Sequence, residues 1–171
     1  MDKNLHAGHR QRVKDRAISE GLDGFCRDGL IYRGAIYSKK FENGKTCYFY
    51  AKGGEEEIWN LSKKRIVFLC KDTNANPGED YRYWGFRSGT GELTSRFFKT
   101  IAITLFGLFD YNERITPYEV ANRRENYIKA IDEFPFAIVN CKKESGGSAI
   151  NNFQLNDYLS KYHQFLKLQL E

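Results

Sequence analysis

Two short, uninterrupted apolar runs constrain this chain most: Arg65–Cys70 (RIVFLC) and Phe136–Val139 (FAIV). Runs of β-branched and aromatic residues without polar alternation read as strands covered on both faces. Between them, Thr94 is placed to cap a helix in which Phe97, Phe98, Ile101, Ala102, Leu105, Leu108 and Phe109 recur at helical spacing. Thr116-Pro-Tyr-Glu119 is a capping box with proline at the first helical position, which predicts a further helix to about Ile131. After the second run comes a helix with Leu155, Tyr158, Leu159, Tyr162, Phe165 and Leu166 on one face. Strand, helix, helix, strand, helix is α/β order. The two strands are expected to be parallel neighbours joined by a right-handed crossover, the start of a three-layer domain with a parallel sheet.

The amino-terminal part differs. His9–Glu20 reads as a short helix with Val13 and Ala17 on one face, stopped by Gly21. Residues 30–42 and 45–52 are rich in Tyr, Ile and Phe, and Asn43-Gly44 between them predicts a hairpin with a type I′ turn. Tyr48-Phe49-Tyr50 reads as an alternating strand with a core and a surface face rather than as a base-stacking platform. Glu55–Lys64 reads as a polar connector, its three glutamates a solvated turn or a helix start. The division is an amino-terminal helix-and-hairpin extension, 1–64, and an α/β domain, 65–171. Two parallel strands make a poor sheet, and the chain stops at Glu171, at the end of an amphipathic helix. The expectation is a truncated domain whose sheet is completed by a missing carboxyl-terminal segment or a partner chain, with the hairpin as the alternative source.

With 171 residues the chain has the length of about one domain. No apolar run approaches the ~18 residues of a membrane span, and Met1–Arg16 is too polar for a signal peptide. The expected location is the cytoplasm. The four cysteines (Cys26, Cys47, Cys70, Cys141) form no C-x-x-C pair, so neither a disulfide framework nor a redox motif is expected. Cys70 and Cys141, at the ends of the apolar runs, look like small buried hydrophobes. His6, His9, Cys26 and Cys47 match no common zinc spacing, so no metal or cofactor is expected. Lys and Arg number 27 against 22 acids, a net charge of +5. That charge admits a polyanionic partner such as DNA.

In open parallel sheets, ligands bind beyond the carboxyl ends of the strands. The first run leads into Lys71-Asp72-Thr73-Asn74-Ala75-Asn76-Pro77-Gly78 and on to Tyr81, Tyr83 and Trp84; the second leads into Asn140-Cys141-Lys142-Lys143. An acid or amide at a strand end, a tight turn, an aromatic cluster and a second amide fit a pocket for a flat polar ring. Aromatics stack on such a ring, and the amide reads its edge. The same residue types also serve ordinary turns.

From Arg65 onward the chain resembles the uracil-DNA glycosylase superfamily. Cys70-Lys71-Asp72-Thr73-Asn74 falls where that family has Gly-Gln-Asp-Pro-Tyr, and Asn76-Pro77-Gly78 matches its Asn-Pro-Gly variant. Ser95-Arg-Phe-Phe-Lys99 is similar to the family's helix start, and Phe136–Asn140 to its second strand motif. The resemblance implies hydrolysis of the N-glycosidic bond of a flipped base in DNA. Asp72 or Asn76 would position water, Asn140 would read the base edge, Lys71 and Asn74 would bind substrate, and Tyr81 or Trp84 would stack on the base. The family's His-Pro-Ser-type motif has no counterpart, since the sole histidine after Asn140 is His163. This departure leaves an alternative: a non-catalytic nucleotide- or nucleic-acid-binding module, or a protein-interaction domain. A shorter stretch, His6–Arg12 with Gly21–Phe25, resembles the start of RadC-type proteins, which are associated with DNA metabolism.

Overall fold

A computed structural model describes residues 24–71, 76–83, 87–88, 93, 95–110, 116–145 and 151–170. The predicted helix at 9–20, His6 and His9 lie outside them, as does most of the RadC-like stretch. The elements, in chain order, are β1 (Gly29–Leu30), β2 (Ile36–Lys40), β3 (Thr46–Tyr50), α1 (Glu55–Leu61), β4 (Ile66–Cys70), a 3-10 turn (Tyr81–Tyr83), β5 (Arg87–Ser88), α2 (Arg96–Asp110), α3 (Pro117–Asn122), α4 (Arg124–Glu133), β6 (Phe136–Asn140) and α5 (Asn152–Leu170). The class is mixed α/β, with two three-stranded sheets ordered β1-β6-β4 and β2-β3-β5. No helix among the described residues is long and apolar enough to cross a membrane. The chain forms two compact units, one of residues 1–29, 67–82 and 137–171, the other of 30–66 and 83–136.

In the first unit, β6 is the middle strand and all five of its residues are buried. That fits the continuous apolar reading of FAIV. The other run departs from it: β4 is an edge strand whose Val67 and Leu69 are exposed while Ile66, Phe68 and Cys70 are half-buried. Residues two apart share a face of the strand, so one face of β4 is open to solvent, which an apolar run cannot reveal in advance. Just past the strand ends, Cys141 N–H donates to Cys70 O (2.8 Å) and Lys142 N–H to Lys71 O (3.0 Å). The two bonds advance together along both segments, as strands running in one direction require. The third strand of this sheet is the two-residue β1, and the hairpin belongs to a separate sheet.

Helix α5 begins with a reciprocal cap: Gln154 N–H donates to Asn151 Oδ1 (2.9 Å), and Asn151 N–H to Gln154 Oε1 (3.2 Å). Its buried stripe is Tyr162, Phe165 and Leu166, the second half of the predicted face. Phe25 packs edge-on to Tyr162 (6.3 Å between centroids) and tilted to Phe165 (5.3 Å). Each such pair contributes about 0.5–1.5 kcal/mol beyond its buried area.

In the second unit, β2 and β3 pair antiparallel with Lys40 opposite Thr46, so the predicted hairpin forms with shorter strands. Its turn differs from expectation. Positive φ is confined to glycines among the described residues, including Gly44 at 77°, and Gly44 N–H donates to Phe41 O (2.9 Å). This is a three-residue loop, a turn followed by a left-handed glycine, and it needs positive φ only at Gly44. The polar connector is a helix, α1. Glu55, Glu56 and Glu57 fill its first turn, where the helix dipole favours negative charge.

Ser95 Oγ accepts from Phe98 N–H (3.3 Å) and starts α2; Thr94 lies outside the described residues. Buried Phe98, Ile101, Ala102, Leu105 and Phe106 of α2 and Tyr127, Ala130 and Ile131 of α4 supply this unit's core, and Phe109 stacks on Phe134 (4.0 Å, 6°). Arg33 lies over the rings of Tyr50 (5.6 Å) and Phe136 (5.2 Å) and donates to Phe134 O (2.8 Å). Its Nε and Nη1 are buried without partners, and burial pulls the guanidinium down to about 10.

The single helix predicted from Thr116 is two, α3 and α4, broken at Arg123 (φ −84°, ψ 69°); Asn122 turns its amide back onto Tyr118 O (2.9 Å). The capping box forms: Glu119 N–H donates to Thr116 Oγ1 (3.2 Å), and Glu119 Oε2 accepts from Thr116 N–H (2.7 Å) and hydroxyl (2.8 Å). These bonds hold the Glu119 carboxyl below its usual value. We expect Thr116→Ala to lower stability by about 1 kcal/mol in urea denaturation. In the same variant the Glu119 carboxyl should move only part of the way back up, read by NMR titration, because the backbone N–H of residue 116 still donates to it.

Candidate functional site

The carboxyl end of β6 in the first unit concentrates this chain's buried polar chemistry. Asp28, immediately before β1, points its carboxylate at Asn140, the last residue of β6. Oδ2 accepts both the backbone N–H (2.7 Å) and the side-chain amide (2.9 Å) of Asn140. Lys143 Nζ lies 2.7 and 2.9 Å from the two carboxylate oxygens. From α5, Gln169 donates its amide to Oδ1 (2.7 Å) and accepts from Lys143 Nζ. The Asp28 and Lys143 side chains are both 0% exposed.

A lone charge at such depth would cost several kcal/mol; mutual pairing plus complete hydrogen bonding is what permits it. Burial still pulls the Lys143 ammonium below its usual value, against the opposing pull of Asp28. Burial likewise pushes the Cys70 thiol up to about 11, with Asp28 and Cys141 adding to the effect, and raises Cys141 as well. Both thiols therefore behave as the small hydrophobes their sequence positions suggest.

Toward the surface, Glu144 accepts from Lys161 Nζ and Tyr162 Oη. Burial would raise the Glu144 carboxyl, but these two bonds and the charges of Lys161 and Lys142 outweigh it and lower it. Tyr162 moves the other way: burial, then the hydrogen bond and charge of Glu144, lift its phenol well above the usual value. Lys142 lies 4.9 Å over the Tyr158 ring.

Among the residues singled out from sequence, Asn140 is at this centre, and Lys71 is exposed beside it at the end of β4, its carbonyl bonded to Lys142 N–H (3.0 Å). Asn76 is exposed and opens a tight turn, with Pro77 second, Gly78 third at φ 75°, and Glu79 N–H closing on Asn76 O (3.1 Å). That is the residue pattern of a type II turn. Asn76 also gives its N–H and amide to Glu79 Oε2 (2.9 and 3.3 Å). Tyr81 is buried, its N–H bonded to Arg27 O (2.8 Å). Asp72, Asn74 and Trp84 lie outside the described residues.

Sequence reasoning missed Asp28, Lys143 and Gln169. Asp28 and Gln169 are 141 residues apart, and neither sits in a motif. Lys143 follows Lys142, so it reads as half of a surface pair. Among the described residues no group of three or more His, Cys, Asp or Glu could hold a metal ion. The second unit carries a shallow cleft of about 250 Å³ lined by Leu93, Lys99, Arg124, Tyr127 and Ile128. No protein-family model matches the chain, and no curated protein or solved structure matches it.

Two outcomes follow from this geometry. Asp28→Asn should destabilise the protein by about 3–5 kcal/mol, because Lys143 is left charged and buried; the Asp28→Asn/Lys143→Met double variant should lose less than the sum of the singles. Stability should also fall as pH rises above 10, the ordinary tyrosine value, because the unfolded chain releases the Tyr162 proton before the folded one does. Tyr162→Phe should remove that component from thermal denaturation measured between neutral and alkaline pH.

Proposed function

We propose that the chain is a nucleic-acid-binding α/β module of the uracil-DNA-glycosylase-like kind, which holds DNA at the ends of β4 and β6 without cleaving the glycosidic bond. The observation that carries this reading is the state of Asn140. A residue that reads a base edge presents both a donor and an acceptor, but the Asn140 N–H and amide are both engaged by Asp28, and the residue is 2% exposed. Asn76, the residue assigned to water in the Asn-Pro-Gly reading, likewise gives its amide to Glu79.

What the strand ends offer outward is positive charge. Lys71 is exposed, and Lys142 is half-buried against Tyr158. Charges so placed suit phosphates, which position a duplex without reading its sequence. The finer architecture, a three-layer glycosylase-like sheet, belongs to the same proposal. It is supported by the fully buried middle strand β6 and by the same-direction bonds linking its end to that of β4. A cytoplasmic setting also belongs to it, in keeping with four free cysteines.

The test is duplex binding across a salt series, with uracil release assayed in parallel. Duplex affinity should fall with salt at a slope of roughly −0.9 per phosphate neutralised. Lys71→Ala and Lys142→Ala should each reduce that slope by about one. Uracil-containing DNA should be bound and left intact. Uracil release that disappears in Asn76→Ala or Asp72→Ala would replace this reading with the hydrolytic one, and affinity indifferent to salt would point to a protein partner.

A further inference from the structure

The β2–β3 hairpin of the second unit carries a face that the strand-end reading does not use. Every residue of β2 is exposed. In the antiparallel register Tyr37 opposes Phe49 and Lys39 opposes Cys47, so these four share one face. Tyr37 stacks on Phe49 (5.5 Å between centroids, 18°), and Phe41 leans on Phe49 from the other side (6.4 Å). Lys39 Nζ lies 5.5 Å over the Phe41 ring. Tyr37 and Phe41 remain 45% and 40% exposed.

The charge around these rings is one-sided. Residues 36–50 contain Lys39, Lys40 and Lys45 against Glu42 alone, and among the described residues no carboxylate pairs with any of the three lysines. Lysine on an edge strand guards against strand-to-strand aggregation, and β2 is an edge strand. Edge protection accounts for the lysines and leaves the rings unexplained, since two solvent-facing aromatics would promote the association that the lysines oppose.

Exposed rings interleaved with cations that no carboxylate neutralises are the chemistry of a single-strand stacking platform. Bases stack on the rings whatever their sequence, and lysines follow the phosphates. The geometry points to the Tyr37–Phe49–Phe41 face as a binding site for single-stranded DNA, with Tyr37 and Phe41 stacking on bases and Lys39 and Lys45 meeting the backbone. The choice of DNA rests on the reading of the strand-end site; the stacking chemistry does not.

The experiment is fluorescence anisotropy of the full chain with a labelled oligothymidylate of about 15 nucleotides. Tyr37→Leu and Phe41→Leu keep apolar bulk but lose the ring face. Each should weaken binding by roughly tenfold while the far-UV circular dichroism and melting temperature stay at the parent values, and Tyr37→Phe should bind as the parent does. If Leu variants that remain folded bind as tightly as the parent, the site is wrong. Heparin competing as well as unlabelled oligothymidylate would reduce the contact to charge alone and overturn stacking. Oligouridylate bound at least tenfold more tightly would overturn the assignment to DNA. A concentration-dependent dimer abolished by Phe41→Leu, with no oligonucleotide bound, would give the face to a second copy of the chain. The two sites can fail separately: Lys71→Ala and Lys142→Ala should flatten the salt slope of duplex binding, whereas Tyr37→Leu and Phe41→Leu should weaken oligothymidylate binding and leave that slope at the parent value.

Discussion

The first unit depends on one carboxylate. Asp28 accepts from Asn140, Lys143 and Gln169, and through them it ties the strand it precedes to the end of β6 and the last turn of α5. No apolar contact has this directional demand. Side chains around Phe25, Tyr162 and Phe165 could tolerate small shifts, whereas a buried ion pair loses its compensation when either partner moves away. The cluster thus joins backbone segments at the same end of the unit where the aromatic side chains of α5 pack.

The same interaction occupies one of the two described amides that the strand-end pattern singled out, and a local turn occupies the other. Asn140 is turned inward by the carboxylate and backed by a lysine, and Asn76 is occupied in its own turn. Among the described residues, Lys71 is exposed at the end of β4 and Lys142 lies half-buried against Tyr158. Binding by phosphate contact and by stacking needs no such inward-facing amide, so the interior of the first unit can be devoted to holding its fold.

Legibility from sequence followed range. Features set by a few neighbouring residues were readable: the Thr116–Glu119 capping box, the Asn43-Gly44 hairpin, the buried stripe of α5 and the enclosed FAIV strand. Where a local pattern has two physical solutions, reading chose the wrong one. Asn-Gly admits a two-residue or a three-residue loop, and RIVFLC admits a strand covered on both faces or on one. The break at Arg123 was hidden because the helix pattern continues across it. Asp28, Lys143 and Gln169 were beyond reach, because their meaning arises from contacts spanning more than 110 residues and no spacing rule extends that far.

The first unit is assembled from three stretches of chain, and its key carboxylate belongs to the earliest of them. During synthesis Asp28 leaves the ribosome 141 residues ahead of Gln169. At roughly 5–20 residues per second that interval is on the order of ten seconds. Asn140 follows Asp28 by 112 residues, so for most of that interval the carboxylate has none of its three partners. Gln169, the last partner of Asp28 to be made, therefore decides when the buried cluster of the first unit can be completed.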